Sequence, residues 1–198
     1  LFGDKIDIHG GGIDLKFPHH ENEIAQSLAL HNNTLANYWM HNGFVNVDNE
    51  KMSKSLGNFV TVHDMLKTVD GQVLRFFLAT QHYRKPVNFT EKAVHAASVN
   101  LKYLKNTFTL PLGKAVDAAE LAKFKADFEA AMDDDFNTAN GITVAFDMAK
   151  WINSGNYDQV TKDTFAKMLA VFGIVFEEEV LDADIEALIE KRQEARAN

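Results

Sequence analysis

Two lysines stand three residues apart in a short stretch that is otherwise rich in hydroxyl groups. The string KMSKS at residues 51–55 places Ser53 between Lys51 and Lys54, and Ser55 follows. A lysine ammonium is a point charge that suits phosphate oxygens, and serine hydroxyls and loop N–H groups can add hydrogen bonds. The spacing favours a loop that binds the triphosphate of ATP, although charge patterning alone also allows an ordinary basic surface loop.

A glycine-rich stretch lies upstream of this loop. Residues 5–8 predict a buried strand, residues 9–12 predict a turn, and Pro18 opens a helix predicted to end near residue 31. A strand, a glycine turn and a helix form the crevice of open α/β sheets, where ligands bind at the carboxyl ends of strands.

Three residues of this stretch are candidate nucleotide contacts. Gly11 and Gly12 would let the backbone approach a ligand closely, because neither carries a side chain. Asp14 is a candidate acceptor for ribose hydroxyls, and local chemistry equally allows it to cap a turn or a helix.

A histidine and a carboxylate stand four residues apart on the predicted helix. His19 and Glu23 would share one helix face, near enough to bind the same metal ion. Such a pair is also common as a simple surface contact.

The longer strings around these residues resemble a known family. KMSKS followed by Leu-Gly-Asn resembles the second nucleotide-binding motif of class I aminoacyl-tRNA synthetases. The stretch HGGGIDLKFPHHENEIAQS, residues 9–27, closely resembles cysteinyl-tRNA synthetases, and the similarity extends over essentially all 198 residues. The resemblance implies that Lys54 stabilises the pyrophosphate leaving group as the amino acid attacks the α-phosphate of ATP, with a smaller contribution from Lys51.

The resemblance also implies a zinc site that this chain can only partly form. In that family, His19 and Glu23 would be two of four ligands to a Zn²⁺ that binds the substrate thiolate, and the other two are cysteines earlier in the protein. This chain has no cysteine and no His-Ile-Gly-His-type string. We therefore expect a C-terminal fragment that lacks the N-terminal half of the catalytic domain, and zinc binding that is weak or absent in this chain.

Composition is that of a folded cytoplasmic protein. Hydrophobic residues make up 46% and charged residues 24%, and no stretch approaches the ~20 apolar residues of a membrane span. The net charge is −8, but residues 1–113 carry +1 and residues 114–198 carry −9. Any contact with RNA must therefore use local basic segments.

Residues after the KMSKS loop predict helices. Thr61, Asp70, Thr90 and Asn137 are candidate N-caps, with Asp135 as an alternative cap beside Asn137. The short helix after Thr61 is predicted to end near residue 69. Later helices are predicted over 118–132, 138–152, 159–172 and 185–196, with Gly173 as the stop of the third.

The predicted fold class is α/β plus all-α, the second half of a Rossmann-like catalytic domain followed by helices. The predicted divisions are residues 1–60 for the catalytic part, 61–109 for a helical connector, 110–116 for a linker and 117–198 for a helical anticodon-binding domain. Trp151 and Tyr157 are predicted to be core residues rather than base-stacking ones.

The loop His-Tyr-Arg-Lys-Pro at residues 82–86 carries two cations and two rings. Such a loop can contact an RNA backbone through phosphates, and Arg84 and Lys85 are the candidate tRNA contacts.

The resemblance thus implies part of an enzyme that uses ATP with Mg²⁺ to activate L-cysteine and transfers it to tRNA(Cys). The fragment itself is expected to be inactive. One alternative is a related ligase that activates cysteine for an amino-sugar thiol, of the mycothiol type, and another is a non-catalytic tRNA-binding module. The resemblance of residues 132–139 to the synthetase's anticodon-binding domain argues against the amino-sugar ligase.

Overall fold

A computed structural model describes residues 3–53, 55, 57–113 and 115–176 of the chain. Lys54 and the helix predicted over residues 185–196 lie outside the described residues.

The N-terminal segment is a parallel β-α-β unit. Strand β1 (Ile6–Gly12) pairs in parallel with β2 (Ala36–Asn42), and helix α1 (Glu21–His31) connects them. The predicted turn at residues 9–12 is wrong, because these residues continue β1 and pair with β2 as far as Gly12.

Helix α1 begins later than the sequence predicts. A 3₁₀ turn (Ile13–Leu15) and a π-helical turn (Lys16–His20) precede it, and Phe17 within that turn has extended backbone angles (φ −139°, ψ 133°). Pro18 therefore lies in a bend rather than at the first α-helical position. The bend brings His19 and His20 to the start of α1.

A second, three-stranded sheet carries the KMSKS segment. Strand β3 (Val45–Val47) is central, with β4 (Glu50–Lys51) antiparallel on one side and β5 (Val87–Phe89) parallel on the other. The β3–β4 turn is left-handed at Asp48 and Asn49, and Asn88 accepts a hydrogen bond from the Asn49 N–H (2.8 Å).

Six further helices follow in the described part of the chain. The predicted caps Thr61, Asp70, Thr90 and Asn137 each accept a hydrogen bond from a first-turn N–H. Asp117 and Asp158 cap in the same way. Helix α2 ends at Met65, short of its predicted end near residue 69, whereas α7 stops just before Gly173 (φ +69°) as predicted. The helices are α2 (Val62–Met65), α3 (Gly71–Ala79), α4 (Glu91–Phe108), α5 (Ala118–Asp133), α6 (Thr138–Asn153) and α7 (Gln159–Val171).

One apolar core joins the helices on both sides of residues 110–116. Phe76 and Leu104 from the predicted connector share this core with Met148 and Phe165 from the predicted helical domain. Tyr157 is buried in it, as predicted, and its hydroxyl donates to the Phe108 carbonyl (2.7 Å). Trp151 packs against the cluster too. The domain boundary predicted at residues 110–116 stays a prediction.

The β-α-β unit has far fewer buried residues than the helices that follow it. Between residues 3 and 42, only His20, Ser27 and Ala36 are buried, whereas Phe17 is 76% and Leu30 77% exposed. Within the described part of the chain, we find no helix with both the length and the apolar composition to span a membrane.

Candidate active site

The carboxyl-terminal half of the two-stranded sheet presents a cluster of rings. The parallel register places His9 opposite Trp39 and Gly11 opposite His41. The rings of His9 and Trp39 meet edge to face with their centroids 4.7 Å apart. Ligands of open α/β sheets bind at this end of the strands, so the cluster lies where a substrate is expected.

His20 fills the centre of this cluster. Its side chain is buried, and its Nδ1 lies 2.8 Å from Nε2 of His41, so one of the two nitrogens donates a hydrogen bond to the other. Burial lowers the pKa of His41, and the nearby His20 and Lys16 lower it further. A Cβ at Gly11 would lie 2.9 Å from the His20 ring, so this glycine makes room for the imidazole.

Glu23 lies between two histidines. Its Oε1 is 3.4 Å from Nε2 of His19, and its Oε2 is 2.9 Å from Nε2 of His9. The second contact has the distance but not the angles of a hydrogen bond, because Oε2 is a buried oxygen without a hydrogen-bond partner among the described residues. The contact with His9 therefore leaves Oε2 unsatisfied.

These distances suit a metal ion. Two ligands bound at ~2.0–2.2 Å to one tetrahedral zinc lie roughly 3.3–3.5 Å apart, which is the separation of the His19 and Glu23 atoms. His9, His20 and Glu23 also offer ligand atoms that lie within 4.8 Å of one another. The residues present therefore fit part of a metal site, with a choice of imidazoles around one carboxylate.

Asp14 lies on the 3₁₀ turn just after β1 and is exposed. It caps neither of the two turns that it adjoins. A Cβ at Gly12 would lie 2.5 Å from Oδ1 of Asp14, so the glycine leaves space for this carboxylate at the strand end. Its predicted role as a ribose contact stays a prediction.

The KMSKS segment is held across its base by one amide. Asn58 Oδ1 accepts from the Ser53 N–H (2.9 Å), and Asn58 Nδ2 donates to the Lys51 carbonyl (3.3 Å). The hydroxyls of Ser53 and Ser55 lie 3.2 Å apart, so they face the same space. Lys51, at the end of β4, places its ammonium 4.4 Å from the centroid of the Phe44 ring.

Arg84 and Lys85 differ in their surroundings. The guanidinium of Arg84 donates from Nε and Nη2 to the carboxylate of Asp135, whereas Lys85 is exposed. Both remain predicted tRNA contacts, but Arg84 can reach a phosphate only with the edge that Asp135 does not occupy.

Sequence reasoning proposed His19 and Glu23 as metal ligands, which stays a prediction, and it missed the residues near them. The missed residues are His9, His20, Trp39 and His41 around Glu23, Asn58 in the KMSKS loop and Asp135 beside Arg84. The adjacent histidine His20 was visible as a candidate, because it stands next to His19 in the same string. The others depend on strand register or on contacts between distant segments.

Two family profiles match the chain. Residues 1–99 match the family described as tRNA synthetases class I (C) catalytic domain, and residues 127–177 match the DALR domain. The two matches fall on either side of residues 110–116.

The whole chain is similar to curated cysteine–tRNA ligases. It is 77% identical over 198 residues to the one from Streptococcus thermophilus strain CNRZ 1066, and 76% identical to those from Streptococcus agalactiae serotype Ia and Streptococcus pyogenes serotype M6. In each case the alignment covers 100% of this chain and 44% of the relative, so the chain spans less than half the length of these proteins.

Solved structures share the fold at low identity. A LeuRS from Agrobacterium radiobacter K84, solved in a ternary complex with tRNA, has a TM-score of 0.65 at 17% identity, over 84% of this chain and 25% of that one. Methionyl-tRNA synthetase from Mycobacterium tuberculosis has a TM-score of 0.54 at 17% identity, over 84% of this chain and 39% of that one. The arrangement of an α/β segment followed by helices is thus common to several synthetases. The chain belongs to the family of class I (C) tRNA synthetases, as shown by the profile match over residues 1–99 and by the ligase similarity over the full chain, with which this shared fold agrees.

Proposed function

We propose that this chain is part of a cysteine–tRNA ligase, a cytoplasmic enzyme that uses ATP and Mg²⁺ to form cysteinyl-adenylate and transfers the cysteine to tRNA(Cys). The observation that carries the cysteine-specific part is the His19–Glu23 pair. Its 3.4 Å separation suits two ligands of one zinc, and the buried Oε2 of Glu23 lacks a hydrogen-bond partner among the described residues.

In the proposed site, His19 and Glu23 hold zinc together with two ligands from outside this chain. Bound zinc would bind the cysteine thiolate, which separates cysteine from serine far better than a pocket shaped for either side chain. His9 keeps the Glu23 carboxylate in place, and neighbours of metal ligands commonly orient them in this way. With only two of the four ligands, this chain alone should bind zinc weakly or not at all.

The ATP-binding half of the proposal rests on the KMSKS loop and the end of β1. Lys54 would stabilise charge that develops on the pyrophosphate, with Lys51 in a smaller role, and Ser53 and Ser55 would donate to phosphate oxygens. Asp14 would accept hydrogen bonds from the ribose hydroxyls of ATP, and the backbone at Gly11 and Gly12 would lie next to its adenosine. The shared space of the two serine hydroxyls supports this assignment.

The test is cysteine-dependent ATP–pyrophosphate exchange by the complete protein that contains this chain. Lys54→Ala should slow exchange by about 10²–10³-fold, as removal of other preorganised charge stabilisers does, with the KM for cysteine nearly unchanged. Lys150→Ala removes an exposed lysine from α6 and is the matched control. Exchange that is equally fast with Lys54→Ala, or that prefers serine, would contradict the proposal.

The same experiment on this chain alone separates the enzyme from a tRNA-binding module. We propose that the fragment shows only background exchange but binds tRNA weakly, through Lys85, Arg84 and the helices after residue 116. The opposing net charge of −8 makes that binding weak and strongly dependent on salt. Titration of labelled tRNA(Cys) and of an unrelated tRNA at two salt concentrations measures it, and equal binding of the two would remove the anticodon-recognition part of the proposal.

A further inference from the structure

The carboxylate of Asp135 collects three hydrogen bonds from a loop that precedes it by about fifty residues. Arg84 donates to it from Nε (2.5 Å) and Nη2 (3.0 Å), and the hydroxyl of Tyr83 donates to Oδ1 (2.7 Å). Nε2 of His82 lies 3.8 Å from Oδ2. One side chain is thus bound by consecutive residues of the 82–86 loop.

The backbone holds Asp135 in place for this contact. Asp135 and Phe136 both have left-handed backbone angles (φ 55° and 52°) in the turn between α5 and α6. Aspartate tolerates this region better than most residues do. Beside it, Thr138 donates from its hydroxyl to the Gln81 carbonyl (3.3 Å), which is a second link between the same two segments.

The other side of the 82–86 loop is fixed to the three-stranded sheet. The Gly43 N–H donates to the Tyr83 carbonyl (2.7 Å), and the Val87 N–H donates to the Phe44 carbonyl (2.8 Å). A Cβ at Gly43 would overlap the Lys85 backbone, so the two segments are in close contact there. This sheet also contains Lys51, which opens the KMSKS string.

The Arg84–Asp135 pair is poorly placed to stabilise the fold. The Arg84 side chain is 56% exposed, and exposed ion pairs add little to stability. The apolar core already packs α3 and α4 against α5, α6 and α7. A bidentate arginine–carboxylate contact does, however, fix orientation, because both partners are planar.

We propose that Arg84 and Asp135 are positioning residues, and that their contact sets the placement of the α5–α6 turn against the sheet that carries the KMSKS segment. This inference rests on the proposed function, because its consequence concerns a tRNA that contacts both parts. The pair makes the two surfaces one rigid platform, so that a tRNA held by the helices presents its acceptor end at the reactive site in a fixed geometry. Adenylate formation, which uses no tRNA, does not depend on the pair.

The test compares two reactions of the complete protein. Asp135→Asn keeps the shape of the side chain but removes its charge, so the contact with Arg84 weakens. We expect pyrophosphate exchange within about twofold of the parent and a fall of about tenfold in kcat/KM for tRNA charging, the size typical of a lost contact to a charged group. Arg84→Ala should lower charging at least as much, because it also removes a proposed phosphate contact. The double variant should be no worse than Arg84→Ala alone, because the contact with Asp135 is already lost in that variant.

Asp134→Asn is the matched control, since it removes the neighbouring charge, and no described residue forms a hydrogen bond or ion pair with that exposed carboxylate. It should leave both reactions unchanged. If Arg84 acts only by binding phosphate, Asp135→Asn frees the guanidinium, and charging stays equal or improves; that result overturns the proposal. Additive losses in the double variant would also overturn it. A parent without cysteine-dependent exchange would instead mean that the proposed function is wrong.

Discussion

The side chain of Asn58 shows how one residue can hold the two ends of a loop together. Its amide is both acceptor and donor, and it joins the Ser53 N–H to the Lys51 carbonyl across the base of the KMSKS segment. Without this amide, two backbone groups at the loop base would lose their partner. Asn58 therefore restricts the conformations that the backbone at Lys51 and Ser53 can adopt.

Asn58→Ala should open the loop of this chain to protease. Two hydrogen bonds worth about 0.5–1.5 kcal/mol each are lost, so cleavage by trypsin after Lys51 or Lys54 should become roughly tenfold faster. Fragment mass and rate, measured under conditions where the parent is cut slowly, report the change. Asn100→Ala on the exposed face of α4 is the control. Equal cleavage rates for the Asn58 variant and the parent would show that the amide does not hold the loop.

At the scale of elements, the turn between α5 and α6 contains Asp135, whose carboxyl group has a lowered pKa. The hydrogen bonds from Arg84, and then from Tyr83, lower the pKa of Asp135 from its ordinary value of 3.8 to about 2. A carboxyl group whose pKa is lower in the folded state stabilises that state above its unfolded pKa, and the stabilisation is lost as the pH falls toward the folded pKa.

Asp135→Asn should therefore change the pH dependence of unfolding between about pH 4 and about pH 2. The variant should be slightly less stable than the parent at pH 5, because water screens this exposed pair, and the small difference should shrink as the pH falls through this window. Urea midpoints at several pH values measure it. For the control Asp134→Asn, the difference in urea midpoint from the parent should not change with pH over the same range. A constant deficit for Asp135→Asn would mean that the carboxylate is not charged in its contact with Arg84.

Elements were predictable where the signal is local. Thr61, Asp70, Thr90 and Asn137 cap the helices that the sequence predicts, because a cap depends on the residues of one turn. The end of β1 was not predictable, because the pairing of Gly12 with Asn42 in β2 keeps three glycines in a strand. The contacts of His20 with His41 and of Arg84 with Asp135 were out of reach for the same reason, since they depend on strand register and on a left-handed turn far along the chain.

At the scale of the whole molecule, burial is distributed very unevenly. Leu104, Met148 and Phe165 are fully buried in the helical core, whereas β1 contains no buried residue. Parallel strands are usually covered on both faces, so the two-stranded sheet gains little stability from the residues around it in this chain. The free energy of local unfolding should therefore be higher in the helical core than in the two-stranded sheet.

Amide hydrogen exchange of this chain tests that expectation. The amides of α4, α6 and α7 should exchange slowest and together, because they share one core. Those of β1 and β2 should exchange faster, although they are hydrogen-bonded to each other. Mass spectrometry of peptic fragments resolves the two groups. Protection of β1 equal to that of α6 would contradict the expectation.

The core also determines when the protein can fold during synthesis. Leu74, Phe76 and Phe77 on α3 pack in the same cluster as Phe172 and Ile174, and Gln72 donates to the Val175 carbonyl across 103 positions of sequence. At roughly 5–20 residues per second, the ribosome takes about 5–20 seconds to add that intervening chain. During that time the apolar face of α3 lacks its final partners. We expect the nascent chain to expose this face to chaperones that shield apolar helices once α3 has left the ribosome, and a pause in translation before Phe172 would prolong that exposure.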